Sequence, residues 1–218
     1  MPALDEGAQI AATLAPLVAL RGDQCELIVV DGGSRDDTLE IARPLVDHAL
    51  RAPRGRALQM NAGAAAAAGE VILFLHADTR LPDGALESLR AALSGGPHVW
   101  GRFDVTLCGR HPLLAVISRM MNLRSRLTGV ATGDQAIFVA RHAFEAVGGF
   151  TRIPLMEDVA ISKALRRLSP PACLRLKVRT SARRWESRGV WRTMVLMWRL
   201  RLAYFLGASP ESLARRYR

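Results

Sequence analysis

An apolar run, Val71-Ile72-Leu73-Phe74-Leu75, stops abruptly at His76-Ala77-Asp78. A buried strand that ends in a carboxylate presents an oxygen ligand at the carboxyl edge of a sheet, where open α/β sheets bind their ligands. Oxygen ligands suit Mg²⁺ or Mn²⁺. Asp78 is therefore a candidate metal ligand, and the plainer reading is a cap for the turn before Pro82. His76 suits a ribose contact, a support for the metal-binding carboxylate or a softer ligand, and equally a packed histidine at a strand end. Met60-Asn61-Ala62-Gly63 precedes this run, and Glu157-Asp158 follows far after it. Together these residues point to one site for a nucleotide-linked substrate and a divalent cation.

The elements that must position them follow from patterning. Glu26 to Val30 is a continuous apolar strand, suited to a parallel sheet covered on both faces. It ends at Asp31-Gly32-Gly33-Ser34, a turn leading into a helix with Asp36 and Asp37 in its first turn, where acids suit the helix dipole. Arg54 and Arg56 flank Gly55 in a basic loop. A small-residue helix is expected over Ala57 to Ala68, then the strand to Asp78. Pro82-Asp83-Gly84 opens a helix with Leu86, Leu89 and Leu93 inward. Further strands are expected over His98 to Leu107, Asp134 to Val139 and Leu174 to Val178. Further helices are expected over Pro112 to Leu127, Phe144 to Val147, Glu157 to Leu168 and Gly189 to Leu206. Strands alternating with helices argue an α/β fold with a mostly parallel sheet.

The chain has 218 residues, half of them hydrophobic, enough for one domain with a sizeable core. Cys25, Cys108 and Cys173 lack metal-like spacing and read as reduced, partly buried thiols, which suits a reducing, cytoplasmic setting. The net charge of +10 is unevenly placed: residues 175–218 carry 12 basic and 2 acidic side chains, and the remainder is neutral. A basic tail calls for a partner such as an anionic membrane, a phosphate-bearing acceptor or nucleic acid.

The ordered set Pro2-Ala3-Leu4-Asp5-Glu6, Val30-Asp31-Gly32-Gly33-Ser34-Arg35-Asp36-Asp37-Thr38, Asn61-Ala62-Gly63, Phe74-Leu75-His76-Ala77-Asp78, Gly148-Gly149-Phe150 and Glu157-Asp158 resembles the family 2 inverting glycosyltransferases of GT-A fold. Gly133-Asp134-Gln135 and Ser181-Ala182-Arg183-Arg184-Trp185 resemble a small bacterial subgroup of them. The resemblance implies a nucleotide diphosphate sugar donor, UDP-linked by the family's habit, and a hydroxyl acceptor. It implies that Asp31 accepts hydrogen bonds from the base, with Pro2, Leu4, Asp5 and Glu6 beside it and Ser34, Asn61, His76 and Ala77 around the nucleotide. Ser34 reads equally as a helix cap. Arg54 and Arg56 steer the diphosphate or are solvated charge. Asp78 holds the metal. Asp158 is the general base, assisted by Glu157; their other reading is helix capping. Gly133, Asp134 and Gln135 face the acceptor, and Arg183, Arg184 and Trp185 cover the diphosphate or stack on a ring. Two features depart from the pattern. The family's first aspartate of Asp-x-Asp is His76 here, and the apolar strand that precedes Pro-x-x-Asp-Glu is missing, so further apolar residues upstream are expected.

This divides the chain into a glycosyltransferase domain over 1–188 and a basic helix and tail over 189–218. Three arginines within Val190 to Leu206 argue against a membrane span. The helix either lies on the inner face of an anionic membrane or packs on the body or in a homodimer. Rival readings are a nucleotidyltransferase, disfavoured by the acidic Asp5-Glu6 where a basic glycine-rich loop is needed, a nucleic-acid-binding protein, disfavoured by few aromatics and no zinc spacing, and an inactive relative.

Overall fold

The computed structural model describes residues 1–22 and 25–217. Its strands fall into two sheets. In the first, β1 (Pro2–Ala3), β2 (Ile28–Asp31) and β3 (His48–Arg51) run parallel in that order. The second is mixed and five-stranded, β4 (Val71–Leu73), β7 (Phe138–Ala140), β6 (Trp100–Cys108), β8 (Ala172–Ser181) and β5 (Thr79–Arg80). Its long central pair, β6 and β8, is parallel, while β7 and β5 pair antiparallel to their neighbours. Helices α1 (Gly7–Val18), α2 (Thr38–Ala42), α3 (Arg56–Ala66), α4 (Ala85–Leu93), α5 (Leu113–Thr128), α6 (Arg141–Ala146) and α7 (Glu157–Leu165) alternate with these strands, and α8 (Arg183–Arg188), α9 (Val190–Phe205) and α10 (Pro210–Tyr217) close the chain.

The apolar faces seen in the sequence become two main cores. Ile10 and Leu14 of α1 join Val29, Phe103, Val105 and Phe138 in one. Phe74, Phe144 and Phe150 form the aromatic centre of the other, with Phe74 edge-on to Phe150 at 4.8 Å between centroids. Asn61 ties this second core shut: its amide nitrogen donates to the Phe150 carbonyl at 2.8 Å, and its oxygen accepts from the Phe150 amide at 2.9 Å. The Gly148-Gly149 turn makes that clip possible. Both residues have positive φ, and a Cβ on Gly149 would stand 2.8 Å from the Asn61 oxygen.

Several boundaries differ from expectation for local reasons. The strand toward Asp78 leaves the sheet after Leu73, with one further backbone bond from the Phe74 amide to Ile137. The segment expected as a strand from Asp134 is first a 3₁₀ turn over Gly133–Gln135, because Thr132 and Gln135 cap it reciprocally. Ala136 then takes a positive φ before β7 begins. Strands β3 and β5 and helices α1, α8 and α10 had no expectation. Pro2–Ala3 is a two-residue strand: Val30 donates to the Met1 carbonyl and Gly32 to that of Ala3, each at 2.9 Å. Alongside Met1, between β2 and β4, lies an apolar cavity of about 580 Å³.

The three cysteines are free and half-buried, as expected. Among the described residues no helix is long and apolar enough to cross a membrane. Trp191, Val195, Trp198, Leu202 and Phe205 of α9 are exposed, whereas Val190, Thr193 and Leu200 are buried.

Candidate active site

A second cavity, about 740 Å³ and open to solvent, is lined by charge. It gathers Pro2, Leu4 and Glu6 after β1, Arg54 and Arg56 at the start of α3, His76, Ala77 and Asp78 beyond β4, Gly133 and Asp134 before β7, Glu157 and Asp158 at the start of α7, and Arg183, Arg184 and Trp185 on α8. Residues from distant parts of the sequence thus meet at the ends of the short strands β1 and β4.

Glu157 and Asp158 open α7 behind Met156, a buried residue held at φ 71°. A left-handed backbone at a non-glycine residue is strained, and such strain concentrates at functional sites. Asp158 is oriented by backbone donors: the Gly133 amide reaches one carboxylate oxygen at 3.1 Å and the Val159 amide the other at 2.7 Å. Glu157 is 5% exposed and faces Arg56 at 3.5 Å. Burial first, then the charge of Asp158, push the Glu157 carboxyl above the usual range, while Arg56 pulls it back.

His76 is held on the opposite side of the same turn. Its Nδ1 lies 3.5 Å from an Asp134 oxygen. Gly133 is required there by close approach, since a Cβ would stand 2.5 Å from the His76 ring. Enclosure in the groove raises the Asp134 carboxyl, but the His76 hydrogen bond and the charges of His76, Arg56 and Arg201 outweigh it and hold the group low. Asp78 keeps a loosely engaged carboxylate, with the hydroxyls of Thr79 and Thr180 each at 3.4 Å, and its carbonyl accepts from the Ser181 amide. Glu6 pairs with Arg183 at 3.1 Å, linking the end of β1 to α8. Arg184 lies over the Tyr217 ring at 5.2 Å and bonds its hydroxyl, so the end of α10 folds against the groove.

Not every expected site residue lines this groove. Asp31 is buried, and its carboxylate accepts from the amides of Gly33 and Ser34 and from the Ser34 hydroxyl, so it builds the turn after β2. Ser34 also accepts from the Asp5 amide, and Asp5 in turn accepts from Arg35. These three lock the first sheet's loops to one another. Asn61 is spent on Phe150. Gln135 is fully buried, bonded to Ser125 and Thr132, which gives it a structural place rather than one facing the groove. Sequence reading missed Thr193, Met197 and Arg201, which also line the groove. Their signal was present: positions spaced by four share one helix face.

Among the described residues no three His, Cys, Asp or Glu side chains converge as a metal cage. A lone carboxylate still fits one mode of cation binding, because Mg²⁺ is commonly held by one or two carboxylates plus substrate phosphates.

The fold and the groove at its strand ends define a class of protein, the GT-A glycosyltransferases. A mannosyltransferase from Pyrobaculum calidifontis, solved with GDP-Man and Mn²⁺, superimposes with a TM-score of 0.66 at 19% identity, covering 93% of this chain and 59% of the other. Glucosyl-3-phosphoglycerate synthase from Mycobacterium tuberculosis, solved with Mn²⁺, uridine diphosphate and glucosyl-3-phosphoglycerate, gives 0.61 at 21% identity over 82% of this chain and 68% of the other. At such identities the likeness establishes the fold. The family comes from sequence: the glycosyl transferase family 2 model matches residues 1–143, and the chain belongs to that family. The poly-β-1,6-N-acetyl-D-glucosamine synthase of Staphylococcus epidermidis is 26% identical over 215 residues, covering 86% of this chain and 51% of the relative. The chain therefore spans about half the length of the curated relatives it matches.

Proposed function

We propose that this groove transfers a sugar from a nucleotide diphosphate donor, a UDP-sugar, to a hydroxyl acceptor by a single inverting displacement. The observation that carries the reading is the convergence of Asp78, Glu157 and Asp158 with Arg54, Arg56, Arg183 and Arg184 in one groove at the strand ends. A glycosyl donor needs its leaving diphosphate stabilised and its acceptor deprotonated. Arginines and a carboxylate-held cation answer the first need, and a carboxylate base the second.

Asp158 is the base. Its oxygens are fixed by two backbone amides, so the carboxylate meets the acceptor hydroxyl without reorganising. Glu157, buried against Arg56, holds that arginine at the groove wall. Asp78 would hold Mg²⁺ or Mn²⁺, and the cation when bound neutralises charge on the leaving diphosphate. Asp134 fixes the ring of His76 beside Asp78, which gives the histidine a defined place where the family has an aspartate. Leu4 and Glu6 border the nucleotide, while Asp31 acts on it through the turn it shapes.

Calorimetric titration with uridine diphosphate, with and without Mn²⁺, tests this reading. Binding is expected to tighten with Mn²⁺, and Asp78→Ala is expected to abolish the metal's contribution, about a hundredfold. Binding to the parent that ignores the metal would remove Asp78 from its role. Release of pyrophosphate rather than nucleoside diphosphate during turnover would replace the transferase reading with nucleotidyl transfer.

A further inference from the structure

One wall of the groove carries buried hydrogen-bond donors that have no partner. Thr193, Met197 and Arg201 form a stripe along the inner face of α9. Thr193 is 5% exposed, yet its hydroxyl has no hydrogen-bond partner. The Nε of Arg201 is likewise buried without a partner, and so are Nε and Nη2 of Arg124 on α5. Among the described residues neither arginine forms an ion pair.

Arg201 lines the groove together with Asp134 and Asp158, so the unfilled donors of Arg201 and Thr193 face the same cavity as the proposed base. Buried donors without a partner are costly, and a bound anion would satisfy them, since a guanidinium offers the planar fork that phosphate and carboxylate oxygens fit.

Resting on the glycosyltransferase reading, we propose that Arg201 and Thr193 form an anion subsite for the acceptor, so that the acceptor alcohol itself carries a phosphate or carboxylate. Its charged group sits against α9, and its hydroxyl is presented to Asp158. Arg201 and Thr193 are specificity residues under this assignment.

Inorganic phosphate is the probe. It is titrated into the intact protein, first free and then saturated with uridine diphosphate and Mn²⁺, which fill the donor side. Phosphate is expected to bind the loaded protein. Arg201→Gln should weaken that binding at least about tenfold, leaving uridine diphosphate affinity within about twofold. Arg201→Lys should restore part of the loss, and Thr193→Val should cause a smaller one. Thermal melts of each variant show that it is folded. Glycerol phosphate in solution and phosphatidic acid in vesicles, set to compete with inorganic phosphate, distinguish a free from a lipid-borne anion. Displacement of phosphate by uridine diphosphate would overturn the proposal and assign Arg201 to the donor. So would an equal loss of both affinities in Arg201→Gln, or no phosphate binding to free or loaded protein. Failure of the transferase reading looks different: uridine diphosphate would not bind the parent, while phosphate binding that Arg201→Gln abolishes would still establish the anion subsite.

Discussion

Two cavities of similar size flank the short strand β1, and they differ in almost every other respect. The groove, about 740 Å³, is lined by arginines and carboxylates from seven separate segments. The slot between β2 and β4, about 580 Å³, is lined mainly by apolar side chains such as Leu17, Leu27, Ile28, Leu73 and Leu86, with Glu26, Glu70 and Arg90 also on its wall. Gln59 borders both, and its amide donates to the carbonyls of Ala3 at 2.8 Å and Val30 at 2.9 Å. Volume therefore does not distinguish a site from a packing gap. Convergent, partly satisfied polar groups do, because they are tolerated only where a ligand or water completes them.

The largest test of this contrast is chemical. Asp158→Asn keeps the size of the side chain and an oxygen for one of the Gly133 and Val159 amides, but removes the base. Turnover is expected to fall about a thousandfold with uridine diphosphate affinity unchanged. Leu86→Ala in the slot is expected to leave turnover alone. Steady-state transfer kinetics of both variants decide it, and comparable rates for Asp158→Asn and parent would take the base assignment away.

The second test is of stability. Phe138 is fully buried beside Phe103, with ring centroids 5.5 Å apart. Phe138→Ala is expected to cost about 3–5 kcal/mol, the usual price of a closed-core aromatic. Leu86→Ala, whose side chain already borders empty space, is expected to cost about 1–2 kcal/mol, because it loses fewer contacts. Urea unfolding measures both, and equal costs would mean that the slot is packed as tightly as the core.

The same contrast explains what the sequence made legible. The groove's carboxylates lie where apolar runs end and helices begin, a pattern that local chemistry writes directly into the chain. Asp78, Glu157 and Asp158 were found in this way, and the alternation of strands and helices disclosed the fold. Asp31, Asn61 and Gln135 show the limit. They occupy similar sequence positions, yet their polar atoms bond backbone or side chains 2 to 89 residues away. A sequence reports that a polar residue stands at a loop, not whether its hydrogen bonds are already taken. Thr193 and Arg201 are the converse case. They lay in a helix read as a basic amphipathic segment for a membrane, the body or a dimer, and only its packing beside α5 and α7 shows that Thr193 and Arg201 line the groove.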